Sequence, residues 1–267
     1  MPIEHRRDGD VAVVVLDQPP VNALGLDLRR ALQSAFKSFQ ADQTVRAVVV
    51  VGAGKGFCAG GDRTEFGTPQ ATARPTLSRD VLHAIEHCGK PVVAALHGFA
   101  MGGGLELALA CDVRVAVANT HIGLPEVGLG RFPLSGSQRL PRLLGLERAA
   151  EWMLDARTME ASHPDAAGLF DRIVDRREAL LPCALEVART ALVAPALAVR
   201  HRPFPDIDPS RAVSVIEQRY PATQCSPAQR AVLAALRAAV EARDFDSGLD
   251  RAQGLFDELV SERTIEP

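Results

Sequence analysis

The stretch His97-Gly-Phe-Ala-Met-Gly-Gly-Gly-Leu-Glu-Leu-Ala-Leu-Ala-Cys-Asp112 decides how this sequence folds. Three consecutive glycines, Gly102 to Gly104, separate one apolar run at 91–96 from another at 105–111. The pattern predicts a buried strand, a tight backbone turn and a buried helix. Glycine lets backbone approach another group closely and leaves N–H donors open at a helix start. Glu106 falls in the first turn of that helix, a carboxylate in an apolar segment, where burial is costly unless the charge is used. By itself the stretch fits two readings equally: a functional turn carrying an acid, or a packing cluster of glycines before a core helix with Glu106 at its polar edge.

On the N-terminal side, Val11–Leu16 is an unbroken, largely β-branched run that suits a strand buried on both faces. Pro19 and Pro20 stop it, and Val21-Asn-Ala-Leu24 reads as a connector. Leu28, Leu32, Phe36 and Phe39, with Ala31 and Ala35 between them, form a helical stripe. A second buried strand at 47–51 runs into a second glycine-rich loop, Gly52-Ala-Gly-Lys-Gly-Phe-Cys-Ala-Gly-Gly-Asp62. A helix containing Val81, Leu82 and Ile85 then leads to the strand at 91. Strand, loop and helix recur at intervals of roughly 40 residues, which predicts an α/β core.

On the C-terminal side a strand is expected at Val113–Val117, then a loop over 121–127. Helices are expected over 138–144 and 147–155, and another starting at Ser162 as N-cap with Pro164 behind it. Ile173 and Val174 form a short strand, and from Arg177 onward the pattern is helical apart from a proline-rich break at 201–209. Ser226 and Pro227 open a helix with Val232, Leu233, Leu236 and Val240 on one face, and a last helix covers 246–260. The expected organisation is an α/β core at 1–195 and a C-terminal helical region at 196–267.

The composition narrows the function. Of 267 residues, 47% are apolar and 24% charged, the profile of a globular protein with a full core. A net charge of −3 argues against a nucleic-acid surface, and 4% aromatics against a base-stacking platform. No apolar run reaches the roughly 20 residues of a membrane span, and the N-terminus lacks a signal-peptide core. Five cysteines without a C-x-x-C pair fit reduced thiols and a cytoplasmic location.

Several motifs are rejected. Gly52-Ala-Gly-Lys-Gly fits neither phosphate-loop pattern, because Phe57 takes the place of the last glycine of G-x-G-x-x-G. The seven histidines show no metal-ligand spacing, so no metal site is expected. There is no G-x-S-x-G, and Cys58 and Cys111 lack an evident base.

Two glycine loops and two acids, Glu106 and Glu126, remain. Phe57-Cys-Ala-Gly-Gly-Asp62, the stretch from His97 to Glu106, and Gly123-Leu-Pro-Glu-Val-Gly-Leu-Gly130 resemble successive signature segments of the crotonase (enoyl-CoA hydratase/isomerase) superfamily. Val21-Asn-Ala-Leu24, Gln138-Arg-Leu-Pro-Arg-Leu-Leu-Gly145 and Ala166-Ala-Gly-Leu169 match further segments in the same order. The resemblance covers residues 8–190. The tail beyond Ser226 is similar to the end of the hydratase half of bifunctional hydratase–dehydrogenases, whose dehydrogenase half is expected to lie outside these 267 residues.

The resemblance implies a crotonase-type spiral of β-β-α units with a C-terminal helical layer. It also implies a hydro-lyase of fatty-acid β-oxidation chemistry acting on acyl-CoA thioesters, with no cofactor besides the coenzyme A of the substrate. Trimers, or pairs of trimers, are the implied assembly. Carried over by position, the backbone N–H groups of Gly61 and Gly103 face the thioester oxygen as it becomes an enolate, and loss of one such donor typically costs about 10²–10³ in rate. Ala59 and the segment Gly61, Asp62, Arg63 and Thr64 flank the CoA moiety. Glu106 and Glu126 fill both acid/base positions. Beside helix N–H dipoles Glu106 suits a base toward water. Among Leu124, Pro125, Val127 and Leu129, desolvation suits Glu126 to donate a proton.

Two departures stand out. A basic residue often lies two positions after the equivalent of Asp62; here Thr64 stands there and Arg63 one place earlier. The glycine-rich run that usually precedes Gln138 is replaced by Arg131-Phe-Pro-Leu-Ser-Gly-Ser137, one residue shorter. Arg131, Phe132 and Ser135 there either reshape an acyl pocket or re-route a surface turn. Three activities are therefore open: a 2-enoyl-CoA hydratase, a Δ3-Δ2-enoyl-CoA isomerase or related acyl-CoA enzyme, and a catalytically impaired assembly member. The intact acids favour the first.

Overall fold

A computed structural model describes residues 2–265. Met1, Glu266 and Pro267, where the two expected regions begin and end, lie outside the described residues. The strands are β1 (Ile3–Asp8), β2 (Val11–Leu16), β3 (Ala47–Gly52), β4 (Val92–Leu96), β5 (Phe99–Met101), β6 (Val113–Val117), β7 (His121–Gly123), β8 (Thr158–Glu160) and β9 (Arg172–Val174). The helices used below are α1 (Leu26–Ala41), α2 (Leu82–Glu86), α3 (Gly103–Ala110), α4 (Leu146–Leu154), α5 (Arg177–Ala191), α6 (Pro209–Arg219), α7 (Pro227–Glu241) and α8 (Phe245–Ile265).

The chain forms two compact units, residues 1–122 with 159–198, and 123–158 with 199–267. The expected division fell at 195/196; the observed one falls at 198/199 and also assigns 123–158 to the helical unit. That assignment rests on contacts between residues far apart in sequence, such as the Gln138 Nε2 donating to the Ala235 carbonyl at 2.9 Å.

The first unit is built on a six-stranded sheet in the order β1-β2-β3-β4-β6-β9. Only β1 is antiparallel; β2 to β3, β3 to β4, β4 to β6 and β6 to β9 are parallel. Every residue of β2, β4 and β6 is buried, as expected for parallel strands covered on both faces. α5 lays Leu180, Ala184, Leu185 and Ala188 on the valines of β2, β3, β4 and β6. Each fully buried valine or leucine there contributes about 1.5–3 kcal/mol. On α1, Leu28, Leu32, Ala35, Phe36 and Phe39 are buried, the stripe read from the sequence. A smaller sheet has the order β5-β7-β8.

Four local expectations need correction. The strand before the triple glycine is followed by a second one, β5, because Gly98 and Gly102 at positive φ turn Phe99–Met101 alongside Cys58. Residues 121–127 are not one loop: His121–Gly123 is a strand and Glu126–Leu129 a 3-10 turn. No helix starts at Ser162. Its N–H donates to the Ala118 carbonyl, and His163 caps only the 3-10 turn Pro164–Ala166 through Asp165. The helix expected through Val81 is a π-helical turn, Leu77–Val81, leading into α2.

The second unit is helical. Trp152 on α4 is fully buried. α7 begins with a reciprocal cap in which Ser226 Oγ accepts from the Gln229 N–H and Gln229 Oε1 from the Ser226 N–H. Among the described residues no helix is long and apolar enough to cross a membrane.

Candidate active site

The two glycine loops of the first unit meet. Gly60, at φ +94°, has its carbonyl bound by the Leu24 N–H at 2.8 Å, and the Ala59 N–H donates to Val21 at 3.0 Å. A trans peptide points N–H and C=O opposite ways, so the Gly61 N–H is directed away from Leu24. The other loop turns at Gly102 (φ 51°, ψ −127°) and starts α3 at Gly103, whose N–H has no partner within the helix. A Cβ placed on Gly103 would lie 3.6 Å from the Gly61 nitrogen, and one on Gly60 3.1 Å from the Gly103 nitrogen. Among the described residues neither the Gly61 nor the Gly103 N–H donates to a backbone carbonyl. Two adjacent open donors, one at the positive end of a helix, make a cradle for an oxyanion.

Glu106 follows in the first turn of α3, only 6% exposed, its own N–H bonded to the Gly102 carbonyl at 2.9 Å. Glu126 belongs to the second unit, half-buried at the head of the 3-10 turn Glu126–Leu129, with its carbonyl accepting from the Arg131 N–H at 3.0 Å. In the divergent run, Phe132 is 1% exposed and sets its ring 5.8 Å, edge-on, from that of Phe256 on α8. Ser135 is fully buried.

The segment expected beside CoA is exposed at Gly61, Arg63 and Thr64 and half-buried at Ala59 and Asp62. Asp62 Oδ1 accepts from both the N–H (2.9 Å) and the hydroxyl (2.7 Å) of Thr64, which closes a local turn. Glu65 fastens that turn to α1, accepting from the Leu26 N–H at 2.7 Å and pairing with buried Arg29 at 3.0 Å.

Three residues escaped the sequence reading. Asn22, read as part of a connector, is buried at φ 54° and donates from Nδ2 to the carbonyls of Ala53, Gly56 and Phe57 at 3.0–3.1 Å. One amide thereby sets the path of the loop that ends in Gly61. The sole hint in sequence is an Asn after a proline stop, compatible with left-handed backbone. His83 and His87, one helical turn apart, do have a spacing that metal ligands use, and their rings stack at 3.8 Å.

His97, at the start of the deciding stretch, is 3% exposed; its Nε2 lies 3.2 Å from the Gly54 carbonyl and its Nδ1 has no hydrogen-bond partner among the described residues. Burial, the largest influence, pushes its pKa below the ordinary 6.5; the Gly54 carbonyl opposes this and Arg177 adds to it. The unfolded chain then binds the proton more readily, so this contribution to stability is complete above pH 6.5 and declines as pH falls from there toward the depressed folded value. Thermal melts from neutral to mildly acidic pH are expected to lose Tm over that window, and His97→Gln to flatten the loss. An unchanged slope in that variant would assign the loss to other groups.

A family model described as enoyl-CoA hydratase/isomerase matches residues 6–202. The chain belongs to the enoyl-CoA hydratase/isomerase family. A short-chain-enoyl-CoA hydratase of Clostridium acetobutylicum is 38% identical over 188 residues, covering 68% of this chain and 72% of the relative. A peroxisomal bifunctional enzyme of Danio rerio is 39% identical over 198 residues, 73% of this chain and 27% of the relative. This chain thus matches about a quarter of the length of that bifunctional relative. Among solved structures, an enoyl-CoA hydratase of Bacillus anthracis superposes with a TM-score of 0.67 at 27% identity, covering 98% of this chain and 92% of the other. The mixed α/β core with its C-terminal helices is the crotonase fold of this family.

Proposed function

We propose that the chain hydrates 2-enoyl-CoA thioesters. The observation that carries this is the pair of open N–H groups, Gly61 and Gly103, held side by side at the start of the helix that bears buried Glu106. Water attacks C3 while Glu106 takes its proton. The C2=C3 electron pair moves to C2 and onto the thioester oxygen, where the two donors stabilise the enolate. Glu126 returns a proton to C2, and the acids regain their starting states by exchange with solvent. Ala59 and Gly61 to Thr64 flank the CoA moiety in this reading, no cofactor is needed, and assembly in threes or sixes and a cytoplasmic location belong to the same proposal. Family membership and the Clostridium relative, named a short-chain-enoyl-CoA hydratase, support it.

The test is spectroscopic. Added to crotonyl-CoA, the protein is expected to bleach the ultraviolet absorbance of the conjugated thioester and release 3-hydroxybutyryl-CoA. CoA-ester binding without turnover of any 2-enoyl-CoA would overturn the reading in favour of an impaired member. Conversion of 3-enoyl-CoA without hydration would make it an isomerase.

A further inference from the structure

The first unit carries a groove of about 460 Å³, lined by α1, the π-helical turn and α2. Lys37 with Gln33 and Gln40 faces it from α1, Arg74 and Arg79 from the segment before α2, and His83 and His87 from α2 and its end. One carboxylate, Asp80, lies among these cations, and it is spent internally. Its Oδ1 is bound by Arg74, and its Oδ2 by Arg74, the Thr76 N–H and the Thr76 hydroxyl. Burial raises the Asp80 pKa, but these donors outweigh it and hold the group below the usual carboxylate range.

Lys37 is exposed and forms no ion pair among the described residues. His87 Nδ1 sits 2.9 Å from the His83 carbonyl, so that nitrogen carries the proton. The His83 and His87 rings stack at 3.8 Å, so the two imidazoles line the groove as one unit. Gln33 and Gln40 add neutral donors; the Gln40 amide also holds the His87 carbonyl at 3.1 Å, which fixes α1 to the end of α2. Nearby cations make the histidine pair a poor seat for a divalent metal and a good one for oxygen anions.

We propose that this groove is an anion site for a tetrahedral oxyanion, the phosphate group of a small metabolite or free inorganic phosphate, held by Lys37, His83 and His87. It lies on the C-terminal half of α1, away in sequence from the glycine loops, and does not depend on the hydratase reading.

Sulfate is the first probe, because it is a tetrahedral dianion at neutral pH. In calorimetric titrations it is expected to bind saturably. Lys37→Met removes one charge-assisted bond and is expected to weaken binding about tenfold. His87→Gln breaks the stacked pair and is expected to weaken binding by a similar factor. Both variants should keep the parent's melting curve and its turnover of crotonyl-CoA. Tighter binding of glycerol phosphate than of inorganic phosphate identifies a phosphomonoester; equal binding identifies the free ion. Absence of saturable binding in the parent, or parental affinity in both variants, overturns the proposal.

Discussion

Glu106→Gln is expected to lower the crotonyl-CoA kcat by about 10²–10⁴, the usual worth of a positioned general base, while Tm moves by a few degrees at most. The substitution keeps the size of the side chain, so the apolar surroundings of α3 stay filled. Two small electrostatic changes oppose one another. A neutral amide loses the favourable interaction of a carboxylate with the helix start, worth about 0.3–1 kcal/mol, and also loses the desolvation cost of a charge that is only 6% exposed. Glu126→Gln is expected to reduce kcat over the same range. If the two carboxylates serve one proton cycle, the double variant is little slower than the slower single one, because removing either partner already disables the unit. Multiplying defects would show independent roles. A Glu106→Gln enzyme retaining more than a tenth of parental kcat would remove Glu106 from the chemistry. Bleaching of crotonyl-CoA absorbance and a melting curve on the same sample separate these outcomes from misfolding.

The legible parts of this fold are those whose cause is local. β2, β3, β4 and β6 are valine-rich because parallel strands are covered on both faces, and a continuous apolar run needs no partner to be recognised. The stripe of α1 and the Ser226 cap are also written within one turn or a few. Three-residue strands such as β5 and β7 carry no readable period; they exist because Cys58 and Gly98 offer backbone partners, Gly98 accepting from the His121 N–H at 2.9 Å. The Ser162 cap failed for a related reason: the residue's N–H is claimed by Ala118, which sequence proximity does not reveal. Glycine loops and acids could be picked out in the candidate site by type and order. The amide of Asn22, acting on carbonyls 31–35 residues away, could not.

Two neighbouring glycines separate what the fold needs from what the chemistry needs. A Cβ on Gly104 would stand 2.3 Å from the Cys58 carbonyl oxygen and 2.8 Å from its carbon, both backbone, so the helix and the loop must part. Gly104→Ala is therefore expected to destabilise the protein by about 1–3 kcal/mol or more and to lower Tm. A Cβ on Gly103 meets softer neighbours, the Leu77 Cδ2 at 2.9 Å and the Leu24 Cδ1 at 3.4 Å, and the end of a leucine can rotate away. Gly103 is not at positive φ, and alanine at a helical position regains up to about 1 kcal/mol over glycine. Stability should thus change little in Gly103→Ala. The same methyl lies 3.6 Å from the Gly61 nitrogen, in the space that the proposed reaction gives to a thioester oxygen about 2.7–3.1 Å from both donors. The expected result is a fall of about 10²–10³ in kcat/KM at nearly parental Tm, the cost of a lost oxyanion donor. Full activity in Gly103→Ala would mean the thioester oxygen binds elsewhere, and loss of Tm equal to that of Gly104→Ala would mean the triple glycine serves packing alone.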